Sequence, residues 1–318
     1  MRVDLEMTKR LKLLLVVAGY IYSQGTSGID SLSIISESWC QDLPRAVYAG
    51  LERVTVSNDW FEVYQLENDV FAIYEPHQWQ EVISYLILGS EKALLFDSGN
   101  GIGEISEIVN ELTSLPVLVL NSHTHFDHIG GNAEFRDILA MDTDYTRNNS
   151  GGYPNELVRE EVSEEALCGS LPAEINPATY YTPSFIVKTF IRDGYKIDLG
   201  DRILEVLSTP GHTPDAISLL DLDLGLLWVG DIYYEGPIWL FVPETDLDVF
   251  YNSVKRLCNM VPHLTTLHPA HNSPIAQPQS LYALKKALIN VQNGTISGKV
   301  ISGGRLEYIF QEFSLIIK

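Results

Sequence analysis

Three imidazoles and one carboxylate fall within six residues at His123-Thr124-His125-Phe126-Asp127-His128, and Ile129-Gly130-Gly131 follows directly. The chain has only eight histidines, and three of them lie in this hexapeptide, which is too dense for a polar loop with chance histidines. Imidazole and carboxylate without thiolate suit zinc, iron or manganese. Such a cluster needs a rigid support. The apolar run Pro116-Val117-Leu118-Val119-Leu120 just before it reads as a buried strand. A strand ending in the hexapeptide holds several ligand atoms at one point in space.

Other chemistry-bearing residues also follow apolar runs. Ile203–Leu207 leads into Ser208-Thr209-Pro210-Gly211-His212-Thr213-Pro214, a turn-rich segment that presents His212. Gly225–Val229 ends in Gly230-Asp231, and Leu264–Leu267 ends in His268-Pro269-Ala270-His271. Earlier, Lys92–Phe96 ends in Asp97-Ser98-Gly99. Sites in α/β proteins collect at strand ends of this kind. His77 and His263 belong to no such piece and read as ordinary surface or core residues.

The ordered set resembles the metallo-β-lactamase superfamily of hydrolases. The matching pieces are HxHxDH at 123–128, the PGHT turn around His212, GD at 230–231, PAH ending at His271 and DSG at 97–99, so the resemblance spans roughly residues 60 to 275. It implies an α/β fold, the four-layer αββα sandwich. It implies that His123, His125 and His212 bind one metal and that Asp127, His128 and His271 bind a second, with Asp231 bridging. Asp97 orients a ligand histidine from behind. His268 competes with His271 for the last position, and His271 is preferred because it follows Pro-x as in the family. The implied cofactors are two divalent metal ions, zinc first, with iron or manganese as alternatives. Such a pair lowers the pKa of a shared water from about 15.7 toward 7, and the resulting metal-bound hydroxide attacks a carbonyl carbon or a phosphorus. Asp127 is the expected catalytic carboxylate, orienting that nucleophile and then moving its proton.

Departures from individual branches narrow the substrate. Class B β-lactamases usually carry Cys or Ser where Asp231 stands, and the Cys-bearing ones often have a basic residue where this chain has Tyr234. Glyoxalase-II-type thioesterases carry a basic residue shortly after the bridging Asp, yet Ile232 through Val242 contains no Lys or Arg. N-acyl homoserine lactonases are more similar, with HxHFDHxGG, a bridging Asp and a Tyr three residues later. Tyr234 matches that tyrosine, with Tyr233 beside it as an alternative, and becomes the second expected catalytic residue, donating to the substrate carbonyl. The expectation is therefore hydrolysis of a small carbonyl substrate, a lactone or ester. β-Lactamase or thioesterase activity is the enzymatic alternative. A non-catalytic metal-binding protein is the alternative from another class, and the complete ligand set argues against it.

The 318 residues carry a formal charge of −21, which repels phosphate backbones and argues against a nucleic-acid partner in favour of a small-molecule substrate. Cys40, Cys168 and Cys258 are widely spaced and make no disulfide framework. Lys9, Arg10 and Lys12 accompany an apolar stretch from Leu11 to Tyr22, and Ser23-Gln24-Gly25 offers small residues for a signal peptidase. Residues 1–25 thus read as a cleavable signal, placing the protein outside the cell or in the periplasm, with the cytoplasm as the alternative. The apolar run is short of the roughly 20 residues a spanning helix needs, so no stable membrane insertion is expected after cleavage. Residues 26–50 form an arm and 51–318 the hydrolase domain. Strands are expected at Val54–Val63, Val70–Tyr74 and Val82–Leu88, and helices at Gly103–Leu112, Glu134–Ala140, Asp248–Leu257 and Ser280–Gln292. The tail Leu306–Ile317 reads as β. Residues 142–190 match no family motif. They form an insertion with a helix at Asn155–Leu167 and with Tyr145, Tyr153, Tyr180, Tyr181 and Phe185, expected to face the substrate as a flap.

Overall fold

Runs that are apolar at successive positions, not alternate ones, form strands covered on both faces. The central runs of this chain have that form. A computed structural model describes residues 39–318; the expected signal and residues 26–38 of the arm lie outside the described residues. The first half supplies β1 (Glu52–Val54), β2 (Glu62–Gln65), β3 (Val70–Tyr74), β4 (Ile83–Leu88), β5 (Ala93–Phe96), β6 (Val117–Leu120), β7 (Ile138–Met141) and β8 (Thr189–Ile191). They form one sheet in sequence order. The pairs from β1 to β5 are antiparallel, and β6, β7 and β8 add in parallel.

The second half supplies β9 (Lys196–Asp198), β10 (Ile203–Ser208), β11 (Ile217–Asp221), β12 (Leu226–Gly230), β13 (Gly236–Leu240), β14 (Thr266–Pro269), β15 (Lys299–Val300), β16 (Leu306–Ile309) and β17 (Phe313–Ile317). A five-stranded sheet runs β14-β12-β11-β10-β9, and a four-stranded one runs β13-β17-β16-β15.

The period-two alternation of each strand assigns its side chains to layers. Tyr85 and Ile87 of β4 and Leu94 and Phe96 of β5 meet Leu204 and Val206 of β10, Leu219 of β11 and Trp228 of β12 in a core between the two large sheets. Leu86 and Leu95 point the other way, onto Ile105, Ile108 and Val109 of the helix Ile105–Leu112. Leu227 and Val229 likewise face Phe250, Val254 and Leu257 of the helix Leu247–Cys258 and Leu284 and Leu288 of the helix Ser280–Gln292. Ile238, Leu240, Leu315 and Ile317 of the small sheet join that last core. The layers therefore run helix, sheet, sheet, helix, as expected from the sequence. Each fully buried Leu or Ile in them contributes about 1.5–3 kcal/mol.

Several local expectations are corrected. The run Val54–Val63 is not one strand; β1 and β2 flank a loop. Glu134–Ala140 is not a helix. A 3-10 turn at Asn132–Glu134 gives way to β7, where Ile138, Leu139 and Ala140 are buried. Burial beside the parallel strand β6 outweighs a composition that tolerates helix. The helix over Asn155–Leu167 is one α-turn, Asn155–Val158, followed by two 3-10 turns broken at Ser163, which is extended. The insertion is also tied into the fold, since its last residues begin β8 on the edge of the first sheet. The described part of the arm is docked as well: Tyr48 lies between the rings of Tyr64 and Tyr74, at 4.7 and 4.4 Å.

Candidate metal centre

The site forms where strands of both halves end. After β6 the chain turns through Asn121–His125 into a single helical turn, Phe126–Ile129, which carries Asp127 and His128. This turn is seated against the loop after β5. Gly130 donates its N–H to the Gly99 carbonyl at 2.8 Å. A Cβ at Gly130 would lie 2.1 Å from the Asn100 carbonyl carbon, so only glycine allows this approach. Asp97 ends β5 with φ +66° and turns its carboxylate inward. One oxygen accepts the Ser122 N–H at 2.6 Å and the other accepts His128 Nδ1–H at 3.0 Å. His212 comes from the turn after β10, Asp231 from the end of β12 and His271 from beyond β14. Gly230 has φ +52°, and a Cβ there would meet Ser122 Cβ at 2.6 Å. The Gly230 backbone of the second half thus packs directly against the Ser122 side chain of the first, beside the expected ligands.

The seven expected ligands converge. The coordinating atoms of His123, His125 and His212 all lie within 4.8 Å of one another, as do those of His123, His128 and Asp231, and those of Asp127, His128 and His271. His125 Nδ1 is 2.9 Å from His123 Nε2 and 3.2 Å from His212 Nε2. One oxygen of Asp231 is 3.1 Å from His271 Nε2 and 3.4 Å from His128 Nε2, and its other oxygen is 3.5 Å from His212 Nε2. Asp231 therefore faces both groups, the placement a bridging carboxylate needs.

The outward ring nitrogens are all held. His123 Nδ1 meets the Ser122 hydroxyl at 3.0 Å. His212 Nδ1–H donates to the Trp239 carbonyl at 2.9 Å, and His271 Nδ1–H to the Gln80 carbonyl at 2.7 Å. His125 Nε2–H donates to Glu244 at 2.9 Å. Anchoring one nitrogen fixes the ring and aims the lone pair of the other into the site.

Two buried atoms within this shell, His128 Nε2 and Asp231 Oδ1, have no hydrogen-bond partner. Such atoms are costly unless something is coordinated there. Borderline imidazole and hard carboxylate donors in this arrangement fit two divalent cations.

The charge states agree with that fit. Burial lowers the pKa of His123, reinforced by His128 and His125, and lowers that of His212 to about 4, which favours the neutral form a metal-binding imidazole needs. Burial acts to raise Asp231, but His271 and His128 outweigh it and hold its pKa well below the carboxylate range. Burial lowers His128, yet the carboxylates of Asp127, Asp97 and Asp231 hold it well above the usual value. The carboxylates thus favour positive charge inside the cluster.

The remaining expected residues separate clearly. His268 joins none of the three ligand groups. It donates from Nδ1 to the Pro274 carbonyl at 2.9 Å and stacks on Trp228 at 5.0 Å, within the core between the sheets. Tyr234 lies beside the site, its ring 4.9 Å from that of His271, but its hydroxyl donates to the Pro237 carbonyl at 2.7 Å. The expected free donor is therefore engaged within its own turn. Tyr233 is buried and donates to Glu312 at 3.2 Å.

Sequence reasoning missed Glu244, Gln80 and Asp215. Glu244 holds His125 and also accepts the Tyr145 hydroxyl at 2.7 Å. Burial pushes its carboxyl up, but the bonds from His125 and Tyr145 bring it down to about 2. Gln80 donates from Nε2 to Asp127 at 3.0 Å. Asp215 is buried and accepts the hydroxyls of Thr124, Thr146 and Thr213 at 2.6, 3.0 and 2.7 Å, tying the metal loop to the insertion and to the His212 turn. Its place three residues after His212 was the available signal; Glu244 and Gln80 stand in no motif. The insertion meets the metal loop through Tyr145 and through Tyr153, which donates to the Thr124 carbonyl at 2.8 Å. Of its other tyrosines, Tyr180 is buried with its hydroxyl on the Asn100 carbonyl, and Tyr181 is 57% exposed.

This fold and this ligand arrangement define a class. The family model described as the metallo-beta-lactamase superfamily matches residues 79–296. The chain belongs to that superfamily, and it is a hydrolase. It is 27% identical over 218 residues to the human acyl-coenzyme A thioesterase MBLAC2, covering 64% of this chain and 77% of the relative. It is 24% identical over 224 residues to a hydroxyacylglutathione hydrolase of Trichodesmium erythraeum, covering 66% and 75%. Among solved structures it shares the fold of BJP-1, a subclass B3 metallo-beta-lactamase of Bradyrhizobium japonicum. That match has a TM-score of 0.52 at 20% identity and covers 75% of this chain and 96% of that one.

Proposed function

We propose that this hydrolase cleaves an acyl thioester with a small acyl-bearing head at a pair of divalent cations. The observation that supports hydrolysis is the buried Asp127 oxygen, held by Gln80 Nε2–H at 3.0 Å beside His128 at 3.3 Å. Bound cations would supply Lewis acidity and lower the pKa of a bound water toward about 7. Asp127 then aligns the attacking water and takes its proton, and Gln80 keeps the carboxylate from turning away. Asp231 and the five histidines would hold the cations in place, so that little reorganisation is needed as charge develops.

Thioester is favoured over lactone for three reasons. The tyrosine that made the lactone reading specific has its hydroxyl on Pro237. The relatives named above include an acyl-coenzyme A thioesterase, and acyl-coenzyme A is a thioester. A thiolate is also a good leaving group that asks for no dedicated acid. The test is turnover by the metal-loaded protein of matched thioester, lactone, ester, β-lactam and phosphodiester substrates. The thioester should be hydrolysed with the highest kcat/KM; a preference for the lactone by tenfold or more would reverse the substrate assignment.

Secretion rests on residues 1–25 of the sequence. N-terminal sequencing of the mature protein should begin near Thr26, and a protein that retains Met1 after export conditions would remove the signal reading.

A further inference from the structure

A row of aromatic rings leads away from the metal ligands and ends at a guanidinium. Trp79 precedes Gln80, which bonds both Asp127 and His271. The Trp79 ring lies 5.2 Å from that of Trp239, whose carbonyl holds His212. Trp239 lies 5.1 Å from Phe241, and Arg305 sets its guanidinium carbon 4.1 Å from the Phe241 centroid. Trp239 and Phe241 share one outer face of the small sheet with Val242, Ile301 and Ile316. Both tryptophans are half-buried, so each keeps an open surface.

Arg305 is unusual among these groups. Its Nη1 is shielded from solvent and has no hydrogen-bond partner, and among the described residues no carboxylate pairs with it. In a chain of net charge −21, acidic partners are abundant. The residue as a whole is only half-buried, and a guanidinium stacked on a ring without a carboxylate partner is well suited to an external oxyanion.

We propose that Trp79 and Trp239 form a shelf for the apolar part of the substrate's thiol half, and that Arg305, seated on the buried Phe241 ring, binds an oxyanion, phosphate or carboxylate, at its far end. This rests on the thioester reading and names the group that distinguishes the substrate. It also answers the lack of Lys and Arg between Ile232 and Val242: the cation comes from the hairpin before β16 instead.

The test is equilibrium binding to the full chain, followed by tryptophan fluorescence, with two matched probe pairs. The phosphate pair is 4′-phosphopantetheine and pantetheine; the carboxylate pair is glutathione and its diethyl ester. In one pair the anionic probe should bind about tenfold more tightly, the size expected of a charge-assisted hydrogen bond, and the pair that responds identifies the anion. Arg305→Ala should erase that preference, and Arg305→Lys should retain part of it, showing that the fold survives substitution. Equal binding within both pairs, or a preference that persists in Arg305→Ala, would overturn the inference. Turnover of neutral S-acetyl pantetheine is read separately. Arg305-dependent binding without any turnover would overturn the thioesterase reading alone.

Discussion

Asp127 and Glu244 show how differently two carboxylates can serve one site. Asp127 faces the ligand cluster, so in Asp127→Asn, compared at full metal content, kcat should fall by roughly 10²–10⁴, the usual range for a lost acid–base group. Near-normal kcat at full metal content would remove Asp127 from the mechanism. Glu244 acts from behind. It accepts His125 Nε2–H and so leaves Nδ1 as the lone-pair nitrogen facing His123 and His212. Glu244→Gln should weaken metal binding about 10- to 100-fold, measurable by competition with a chromogenic chelator, with a smaller change for Tyr145→Phe. Unchanged affinity would reduce Glu244 to a surface contact. Asp231→Ala should lower the metal content from two ions to one, zinc in most preparations, by elemental analysis. A wild-type protein that holds a single ion under replete conditions would count against the bridging arrangement.

At the scale of elements, Glu75 at the end of β3 supports the loop that carries Asp97. Its carboxyl accepts Trp60 Nε1–H at 2.7 Å and the Asn100 N–H at 2.9 Å, and burial pushes its pKa up to about 7. An unfolded glutamate loses its proton near 4.3, so between these values the folded chain holds a proton that the unfolded chain has lost. Stability attributable to this group therefore falls as pH rises from about 4.3 toward about 7. Glu75→Gln keeps acceptor and shape and should flatten that part of the profile. Comparison of denaturant midpoints at pH 5 and pH 8 tests it, and an unaltered difference between the two would refute it. Asp246 caps the helix Leu247–Cys258 by accepting the N–H groups of Asp248 and Val249. Asp246→Ala should cost about 1 kcal/mol, seen as a lowered melting temperature.

The same scale explains what was legible beforehand. Strands covered on both faces announce themselves as apolar runs, and Ile83–Leu88, Ala93–Phe96, Val117–Leu120 and Leu226–Gly230 were visible for that reason. Helices with an apolar stripe, such as Ser280–Gln292 with Leu281, Leu284 and Leu288, were equally plain. The turn at Asn132–Glu134 followed by β7 was not, because a short mixed run becomes a strand only when a parallel neighbour is present to pair with it. The ligands carried a dense local motif. Their supports did not: Gln80, Trp239 and Glu244 act through loops whose positions depend on how distant strands pack.

For the molecule as a whole, the ligands are divided between its halves. His123, His125, Asp127 and His128 follow β6 of the first sheet, and His212, Asp231 and His271 follow strands of the second half. The halves also meet through Ile217 N–H to the Ser122 carbonyl and Ile83 N–H to the Ala270 carbonyl, both at 2.7 Å. Anything that binds only the folded state stabilises it by mass action, by about 4 kcal/mol at a thousandfold excess over Kd. Removal of metal by a chelator should therefore lower the melting temperature, and added zinc should restore it; a melting temperature indifferent to chelation would argue against ions shared across the seam.

That division has a consequence for biosynthesis. Four ligands leave the ribosome within a single hexapeptide, but His271 emerges only after β14, when most of the chain has been made. The early histidines can catch an ion loosely, yet the bridging aspartate and the last imidazole are not there to close around it. Complete loading must then wait for the second half to dock. A cell short of metal would accumulate full-length chains whose seam opens readily, and these would be cut by proteases sooner than loaded ones. Abundance of the protein in such a cell would follow metal supply even at constant synthesis.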